Sequence, residues 1–366
     1  MDIEHKMQLV RKGGISEVLT EGELRNLFET NAHPKHYIGF EISGLVHLGT
    51  GLITAMKVKD FMQAGIKPTI FLADYHGWIN GKLGGDLQLA QKVAKGYFKQ
   101  CFVSLGLEEG KVDYVLGSEL YEKRGNDYWA DVLRVEKETT VARMLRCTTI
   151  MGRTEKDVLQ SSAILYPAMQ VADMWALDVD IAHAGMDQRK VHVLARELAD
   201  KMKKKKPVAL HGKLIGGLKG PKRMDAHSGK SGGDENADEL MIENKMSKSN
   251  PDSCIFIHDS EEEIMRKMKK AHCPEKIVEG NPIIDYAELF VLRDKPLLVE
   301  RDTKFGGNVE FENVAELKRA FEEGKLHPSD LKMAVARELI LTLAPARKYF
   351  AGKEDLIEEV KKARDN

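Results

Sequence analysis

Short, almost continuously apolar runs alternate with amphipathic helical stretches through the first half of the chain. This alternation limits the possible folds more than any other feature. Residues 37–40, 69–73, 113–116 and 179–182 have the length and apolar character of buried strands, and residues 48–64 have helical periodicity. Strands that are apolar on both faces are typical of parallel sheets covered by helices on both sides. The sequence therefore predicts an α/β fold with a Rossmann-like, doubly wound parallel sheet that binds ligands at the carboxyl ends of its strands.

Length and composition set the broad class of protein. A chain of 366 residues, 42% hydrophobic and 31% charged, suits two globular domains. It contains no run of about 18 apolar residues, and its first residues lack the basic-then-apolar pattern of a secretory signal. The four cysteines include no C-x-x-C pair, which argues against a structural zinc site or a disulfide framework. We therefore predict a cytoplasmic protein without a membrane segment.

The composition changes after the first half. Residues 216–243 are rich in Gly, Lys, Asp and Glu and poor in apolar side chains, which predicts a surface loop. Ser260 then begins a capping box, and apolar residues at steps of four from Leu331 predict a helix that ends at Pro345. We predict three parts. They are a Rossmann-like domain at 1–235 with a helical insertion at about 118–160, a linker at 236–258, and a mostly helical domain at 259–366.

A glycine-containing turn separates the first predicted strand from the first predicted helix. Gly44 and Gly49 allow close backbone approach to a ligand, and amides at a helix start attract phosphate. His47 can donate a hydrogen bond to a phosphate oxygen. The spacing is not the G-x-G-x-x-G of dinucleotide binders, which argues against a dehydrogenase. A turn around a packed histidine remains the alternative.

A second cluster, K-M-S-K-S at residues 245–249, follows the predicted surface loop. Lys245 and Lys248 could close over a polyphosphate and neutralise the charge that develops as it leaves, although such runs are also common on solvated surfaces. The turn and this motif together resemble the two-part signature of class I aminoacyl-tRNA synthetases. The second motif matches at every position, whereas Leu48 and Thr50 depart from the commonest form of the first.

A third cluster lies in a segment that is otherwise apolar. Tyr166, Gln170 and Asp173 stand at i, i+4 and i+7, so they share one stripe of a predicted buried helix, with Pro167 in its first turn. Buried polar groups need partners, which leaves two interpretations. The stripe belongs either to a ligand pocket or to a structural hydrogen-bond network. Gln188, just after the next predicted strand, stands where such sheets bind ligands.

These residues resemble tyrosyl-tRNA synthetases of the archaeal and eukaryotic type over nearly the whole chain. The matching segments are YIGFE at 37–41, YPAMQVAD at 166–173, FGG at 305–307 and LHPSDLK at 326–332. The resemblance implies that Tyr37 and Asp173 hold the phenolic hydroxyl of tyrosine. It also implies that the amino group of tyrosine is held by Tyr166, Gln170 and Gln188, with Phe71 and His76 as walls of the pocket.

The resemblance also implies how ATP is bound and activated. His47, Lys245 and Lys248 would be catalytic, and Mg²⁺ would bridge the phosphates without dedicated protein ligands. The residues implied for ATP binding are Gly44, His47, Gly49, Thr50, Asp187 and Lys248.

The resemblance further implies tRNA(Tyr) as a partner and a homodimer. Phe305, His327 and Asp330 would read the anticodon by stacking and hydrogen bonding, although the same segment also fits a helix start with an acidic cap. Apolar faces within residues 132–145 could form a subunit interface or belong to the core. The net charge is −1, but residues 201–223 carry a basic run that fits either a solvated loop or RNA contact.

Three other functions remain open. A tryptophanyl-tRNA synthetase would need an acceptor for the indole N–H, which Asp173 could supply, but Tyr37, Tyr166 and Gln170 together favour tyrosine. The second is a catalytically silent RNA-binding protein on the same fold, and the third a nucleotidylyltransferase of the same superfamily. His47 and the two lysines argue against the silent protein, and the C-terminal domain is not needed by a nucleotidylyltransferase.

Overall fold

A computed structural model describes residues 1–153, 158–221, 246 and 251–365. Its contacts divide the chain into two compact units. The first unit contains Met1–Leu45, Ala55–Lys213 and Glu354–Asn366, and the second contains Val46–Thr54 and Leu214–Lys353. The predicted domain boundaries at 235 and 258 stay predictions, and the first of them lies among residues 222–245, outside the described part of the chain.

The first unit is built on a six-stranded sheet in the order β1-β6-β5-β2-β3-β4. The strands are β1 Ile15–Leu19, β2 Lys35–Glu41, β3 Lys67–Ala73, β4 Asp113–Leu116, β5 Ile181–Gly185 and β6 Val208–Gly212. All neighbours are parallel except β1, which pairs antiparallel with β6 at one edge. The chain runs outward from β2 to β4, then returns to the other side of β2. The predicted doubly wound fold is confirmed. The sequence did not predict two of its strands, β6 and the antiparallel edge strand β1.

Helices accompany the sheet, and both of its faces are buried. Ile181 and Ala182 are consecutive on β5, yet they belong to different apolar clusters, so this strand has a core on each face. The helices of this unit are Ile3–Arg11, Glu21–Thr30, Asp74–Ile79, Leu87–Val93, Lys99–Ser104, Gly117–Arg124, Asn126–Glu138, Val141–Cys147, Ser162–Ala176, Arg189–Ala199 and Glu354–Asp365. Helix Leu52–Gln63 begins in the second unit and continues in the first.

That helix begins later than the predicted residue 48. The backbone N–H groups of Thr50 and Gly51 both donate to the carbonyl of His47, at 3.1 and 2.7 Å, which closes a turn before the helix. The amide of Leu48 donates outward to the carbonyl of Ile255, at 3.0 Å. Because these amides are engaged in the turn and in a long-range pairing, apolar periodicity alone places the start of the helix too early.

The second unit is mostly helical. Its described helices are Glu261–Lys270, Pro282–Phe290, Val314–Glu322 and Pro328–Phe350, and the short strands β7 Leu297–Val299 and β8 Val309–Phe311 form an antiparallel pair. Ser260 caps its helix as predicted, because its side chain accepts from the amide of Glu263 at 3.2 Å. No helix among the described residues is long and apolar enough to cross a membrane.

The prediction that Pro345 ends the last long helix of this unit was wrong. Helix Pro328–Phe350 continues past it, and Ala346 and Phe350 are buried beyond the proline. Pro345 removes the backbone hydrogen bond to the carbonyl of Leu341. Leu341 is 65% exposed, so water can take the place of the missing N–H, while burial after Pro345 favours continuation of the helix.

A buried histidine pair lies on one face of the sheet. His36 on β2 and His183 on β5 approach within 3.3 Å through Nε2 and Nδ1, and both are packed against the ring of Phe61. Burial lowers the pKa of His36 to about 3, so the folded protein keeps this imidazole neutral. The unfolded chain takes up a proton as pH falls below about 6.5. The neutral His36 ring therefore contributes fully to the unfolding free energy above pH 6.5, and this contribution is lost as pH falls toward 3.

Replacing His36 by glutamine is expected to reduce the acid sensitivity of the fold. Between pH 7.5 and 5.5 the wild-type protein should lose about 1.4 kcal/mol more unfolding free energy than His36→Gln, because one proton-binding site of the unfolded chain is removed. Urea unfolding at the two pH values measures both losses. Equal losses in the two proteins would contradict the prediction.

Candidate active site

The predicted polar stripe lies on helix Ser162–Ala176 of the first unit. Tyr166, Gln170 and Asp173 are 5%, 8% and 0% exposed, so the helix is buried along this face as well. Pro167 lies inside the helix and not in its first turn, which corrects the prediction. The helix starts at Ser162, so the proline leaves the carbonyl of Ala163 without its usual N–H donor.

Asp173 is the centre of the site. Its Oδ1 accepts a hydrogen bond from the hydroxyl of Tyr128 at 2.9 Å. Its Oδ2 lies 3.5 Å from Nε2 of His76 and accepts no hydrogen bond from any residue that the structure describes. A buried carboxylate oxygen without a donor is costly, and such an atom calls for a partner. Asp173 is thus arranged to accept a hydrogen bond from a ligand.

Electrostatics gives Tyr37 and Asp173 complementary roles. Burial raises the pKa of Asp173 well above its usual range, and the hydroxyls of Tyr128 and Tyr121 oppose that rise. Burial, together with the charge of Asp173, raises the pKa of Tyr37 well above 10, so its hydroxyl keeps its proton. A phenol that donates and a carboxylate that accepts can together bind a group that does both, such as another hydroxyl.

A second set of polar groups lies along the same helix. The hydroxyl of Tyr166 donates to Oε1 of Glu41 at 3.4 Å, and Nε2 of Gln170 donates to Oε1 of Gln188 at 3.2 Å. Gln188 follows β5, and its Nε2 donates to the carbonyl of Ile150 at 2.9 Å. A carboxylate and an oriented amide oxygen are suited to binding an ammonium group. Every residue of the stripe therefore has a hydrogen-bond partner in the protein, as expected of a structural network. Oδ2 of Asp173 has no donor among the described residues, which instead favours a ligand pocket.

Sequence reasoning missed Glu41 and Tyr128. Glu41 is the last residue of β2, and Nδ2 of Asn80 donates to it at 2.6 Å. The signal for Glu41 was its place at the carboxyl end of a central strand, where ligands of such sheets bind. No comparable signal marks Tyr128, because helix Asn126–Glu138 reaches Asp173 only through tertiary packing.

Aromatic rings surround the predicted pocket. The ring centroids of Tyr37 and Phe71 are 5.8 Å apart, and those of His76 and Tyr166 are 4.5 Å apart at an interplanar angle of 89°. A Cβ atom on Gly39 would lie 2.6 Å from the Tyr37 hydroxyl, so glycine at this position lets the phenol ring lie along β2. Phe71 and His76 lie where the sequence placed them, near the end of β3.

The predicted phosphate-binding turn belongs mainly to the second unit. The amide of Gly49 donates to Nδ1 of His47 at 3.1 Å, so the neutral ring carries its proton on Nε2. The amide of His47 is 3.3 Å from Oγ1 of Thr50, and a Cβ atom on Gly49 would lie 3.2 Å from the imidazole. His47 is thus a buried ring held within its own turn, with Nε2–H as the donor.

The remaining residues predicted to bind ATP are only partly described. Gly44 has a φ of +44°, a left-handed conformation that favours glycine. Asp187 is half-buried in the short 3₁₀ helix Met186–Gln188 that follows β5. Lys245 and Lys248 lie outside the described residues. Among the described residues, no group of three or more His, Cys, Asp or Glu side chains could hold a metal ion.

The three residues predicted to read the anticodon lie in the second unit. Phe305 is 64% exposed, with Nζ of Lys304 4.9 Å from its ring centroid. His327 caps helix Pro328–Phe350, because its Nδ1 accepts from the amide of Ser329 at 3.2 Å. Asp330 lies in the first turn of this helix, so the cap is the histidine and not the acid. An exposed aromatic ring is suited to stacking on a base.

The basic run at residues 201–223 is largely neutralised where it is described. Four of its lysines form ion pairs with acids of the first unit: Lys201 with Glu138, Lys204 with Asp131, Lys205 with Asp178 and Asp180, and Lys206 with Glu23. These pairs favour a solvated protein surface over an RNA contact for the described part of the run, although it is held by ion pairs and is not a free loop.

Comparison with known proteins finds similarity over nearly the full length. The profile of a family described as tRNA synthetases class I (W and Y) matches residues 29–235 and 238–344. A tyrosine–tRNA ligase of Thermococcus kodakarensis is 49% identical over 373 residues, with 98% of each chain covered. Another, of Saccharolobus solfataricus, is 43% identical, with 99% of this chain and 98% of that protein covered.

A solved structure is similar as well. The crystal structure of a tyrosyl-tRNA synthetase from Pyrococcus horikoshii, complexed with L-tyrosine, has a TM-score of 0.91 and 46% sequence identity. The match covers 99% of this chain and 100% of that one.

Proposed function

This chain belongs to the tRNA synthetases class I (W and Y) family, and from that premise we propose that it activates L-tyrosine with ATP and then transfers tyrosine to the 3′-terminal adenosine of tRNA(Tyr). It is a ligase of the aminoacyl-tRNA synthetase class. The observation that carries the choice of tyrosine is the buried carboxylate of Asp173, one oxygen of which lacks a donor among the described residues. Tyrosine supplies a phenolic hydroxyl that can donate to it.

Tyrosine is held at both of its ends in this proposal. Its hydroxyl donates to Oδ2 of Asp173 and accepts from Tyr37, and its ammonium group binds Tyr166, Gln170 and Gln188. The depth of burial of these groups supports the assignment, because hydrogen bonds strengthen where water is excluded. Phenylalanine would leave the hydroxyl of Tyr37 and the oxygen of Asp173 unsatisfied, which penalises its binding.

Activation needs positioning and charge stabilisation rather than a covalent enzyme intermediate. The tyrosine carboxylate attacks the α-phosphorus of ATP, and pyrophosphate leaves as tyrosyl-adenylate forms. His47 and the turn with Gly44, Gly49 and Thr50 would hold the phosphates, and Asp187 the ribose hydroxyls. Lys245 and Lys248 would neutralise the departing pyrophosphate. Placement of the proton of His47 on Nε2 supports its role as a donor.

Mg²⁺ would be bound through ATP. The phosphate oxygens of ATP would supply most of the ligands, since Mg²⁺ is usually held by substrate phosphates and few carboxylates. The ion would offset phosphate charge while it is bound.

A ribose hydroxyl at the 3′ end of the tRNA then attacks the adenylate, and Phe305, His327 and Asp330 read the anticodon. Replacing Asp330 by alanine is expected to reduce discrimination against tRNA(Tyr) with a substituted first anticodon base by about tenfold, because loss of one base contact costs ~1–3 kcal/mol. Charging kinetics with native and substituted tRNA measure this ratio. Unchanged discrimination would show that Asp330 does not read the anticodon and only stabilises the first turn of its helix.

We also propose a cytoplasmic homodimer. Trp129, Leu133, Val141 and Leu145 are large apolar side chains on adjacent helices that remain 38–64% exposed, and such surfaces are typical of subunit interfaces. The four cysteines are free thiols, as a reducing compartment favours. Sedimentation at micromolar concentration, repeated with Leu133→Glu, tests the dimer.

Amino-acid-dependent ATP–pyrophosphate exchange tests the proposed activity directly. Exchange with tyrosine and not with tryptophan or phenylalanine is expected, because only tyrosine presents a hydroxyl to Tyr37 and Asp173. Exchange with tryptophan instead would show that Asp173 accepts from an indole N–H. Absence of adenylate formation with any amino acid would contradict enzymatic activity.

A further inference from the structure

Tyr128 occupies one oxygen of the carboxylate on which the choice of amino acid depends. We infer that Tyr128 is a positioning residue for amino-acid specificity, because it engages Oδ1 of Asp173 and leaves Oδ2 as the single acceptor for the substrate hydroxyl. This inference rests on the proposed function and adds a specificity-determining residue to it.

The Tyr128 hydroxyl has one proton and two possible acceptors. Oδ1 of Asp173 is 2.9 Å away, and the carbonyl of Met169 is 3.4 Å away on the same helix. The shorter contact is to a group that can carry a charge, so the proton is directed to Asp173. The contact is therefore a defined hydrogen bond to one carboxylate oxygen, and it does not depend on any ligand.

The ring of Tyr128 is held in place by its neighbours. It stacks on Tyr121 with centroids 4.1 Å apart and an angle of 22° between the planes, and Trp129 packs edge-on at 5.1 Å. Tyr128 is 1% exposed, so neither the ring nor the hydroxyl has room to reorient. The position of the donor is thus set by helices Gly117–Arg124 and Asn126–Glu138, which lie outside the polar stripe itself.

Engagement of Oδ1 makes the other oxygen selective. Tyr128 engages Oδ1, and Oδ2 has no donor among the described residues. A buried carboxyl oxygen without a donor favours a substrate hydroxyl and penalises its absence. Without the Tyr128 hydroxyl neither oxygen is fixed as the acceptor for the substrate, and the site discriminates less between a phenol and a phenyl ring.

The test is a Tyr128→Phe variant, which removes the hydroxyl and keeps the stacked ring. Its ratio of kcat/KM for tyrosine to that for phenylalanine, measured by ATP–pyrophosphate exchange, is expected to fall about tenfold, the usual effect of losing one buried hydrogen bond. Most of the fall should come from a higher KM for tyrosine. Calorimetric titration with L-tyrosine alone should show the same loss of affinity without ATP.

Tyr114→Phe is the matched control. Tyr114 lies on β4 of the same unit, and its hydroxyl donates to the carbonyl of Leu107 at 2.6 Å, away from Asp173. Tyr114→Phe removes the same atom as Tyr128→Phe and also removes a hydrogen bond from a tyrosine hydroxyl. Its ratio of kcat/KM for tyrosine to that for phenylalanine should therefore equal the wild-type ratio.

The outcomes separate this inference from the function on which it rests. If wild-type protein exchanges pyrophosphate with tyrosine but the ratio is unchanged in Tyr128→Phe, this inference alone is overturned. A parallel fall for both amino acids also overturns it, because a merely structural role predicts that pattern. Wild-type protein without tyrosine-dependent exchange or tyrosine binding overturns the proposed function, and this inference with it.

Discussion

Replacing Asp173 by alanine is expected to lower kcat/KM for tyrosine in ATP–pyrophosphate exchange by at least about 100-fold, equivalent to roughly 3 kcal/mol. Two losses add up in this variant. The substrate hydroxyl loses a buried acceptor, and the hydroxyl of Tyr128 loses the partner that now lies 2.9 Å away. ATP binding should survive, because the groups proposed to hold ATP are unaltered.

The control for Asp173→Ala is Asp131→Ala. Asp131 is 3% exposed, against 0% for Asp173, and it lies on a helix of the same unit, where it pairs with Arg134 and Lys204. Removing it also deletes a buried carboxylate, so its cost to stability is of the same kind, but tyrosine exchange should stay within about twofold of wild type. Thermal unfolding of both variants confirms that they are folded. An exchange rate in Asp173→Ala that equals the wild-type rate would show that the carboxylate does not contact the substrate.

The sheet was the most predictable part of this protein. Strands buried on both faces carry their own signal in continuous apolar runs, and the residues 113–116 predicted as a strand are those of β4. Strand β6 was missed because its apolar run covers only residues 208–210 before His211. Strand β1 was missed because an antiparallel edge strand lacks that signal, and its burial is only intermediate along most of its length. Pairing with β6 brings it into the sheet, and such long-range pairing cannot be read from local composition.

The ends of helices were less predictable than their existence. The start at Leu52 depends on a turn whose amides bond to His47, and the continuation past Pro345 depends on which side of the helix the proline faces. In both cases tertiary contacts decide at which residue the helix begins or ends, which apolar periodicity alone does not determine. Pro167 follows the same rule, because burial on nearly every side of the helix holds it in the interior.

The polar stripe was predictable because three polar residues at helical spacing in an apolar segment need an explanation. What the sequence could not provide is the partner of each group. Tyr128 is 45 residues away from Asp173 in the chain, and Glu41 is 125 residues away from Tyr166. Contacts at such separations follow from the order of the strands and the packing of helices on them. A single sequence can therefore predict which polar side chains belong to a pocket, but not which groups they bond to.

In the proposed function, Asp173 recognises the amino acid, whereas the chemical step depends on a different kind of group. The turn around His47, in the same proposal, contributes a neutral donor to the phosphates, the Nε2–H of an imidazole. Charge develops on pyrophosphate as it leaves, and neutral donors offset only part of it. Cationic side chains are therefore expected to matter most in the transition state, and K-M-S-K-S supplies two of them.

Replacing Lys248 by alanine is accordingly expected to lower kcat for tyrosyl-adenylate formation by about 10²–10³-fold, the usual cost of losing one preorganised electrostatic contact in the transition state. Calorimetric affinity for L-tyrosine should not change, because no group that binds the amino acid is altered. Lys318→Ala is the control, since Lys318 is an ordinary surface lysine paired with Glu288 at 2.9 Å. A raised KM for ATP with unchanged kcat would instead assign Lys248 to ground-state binding, because an interaction made equally in both states does not lower the barrier.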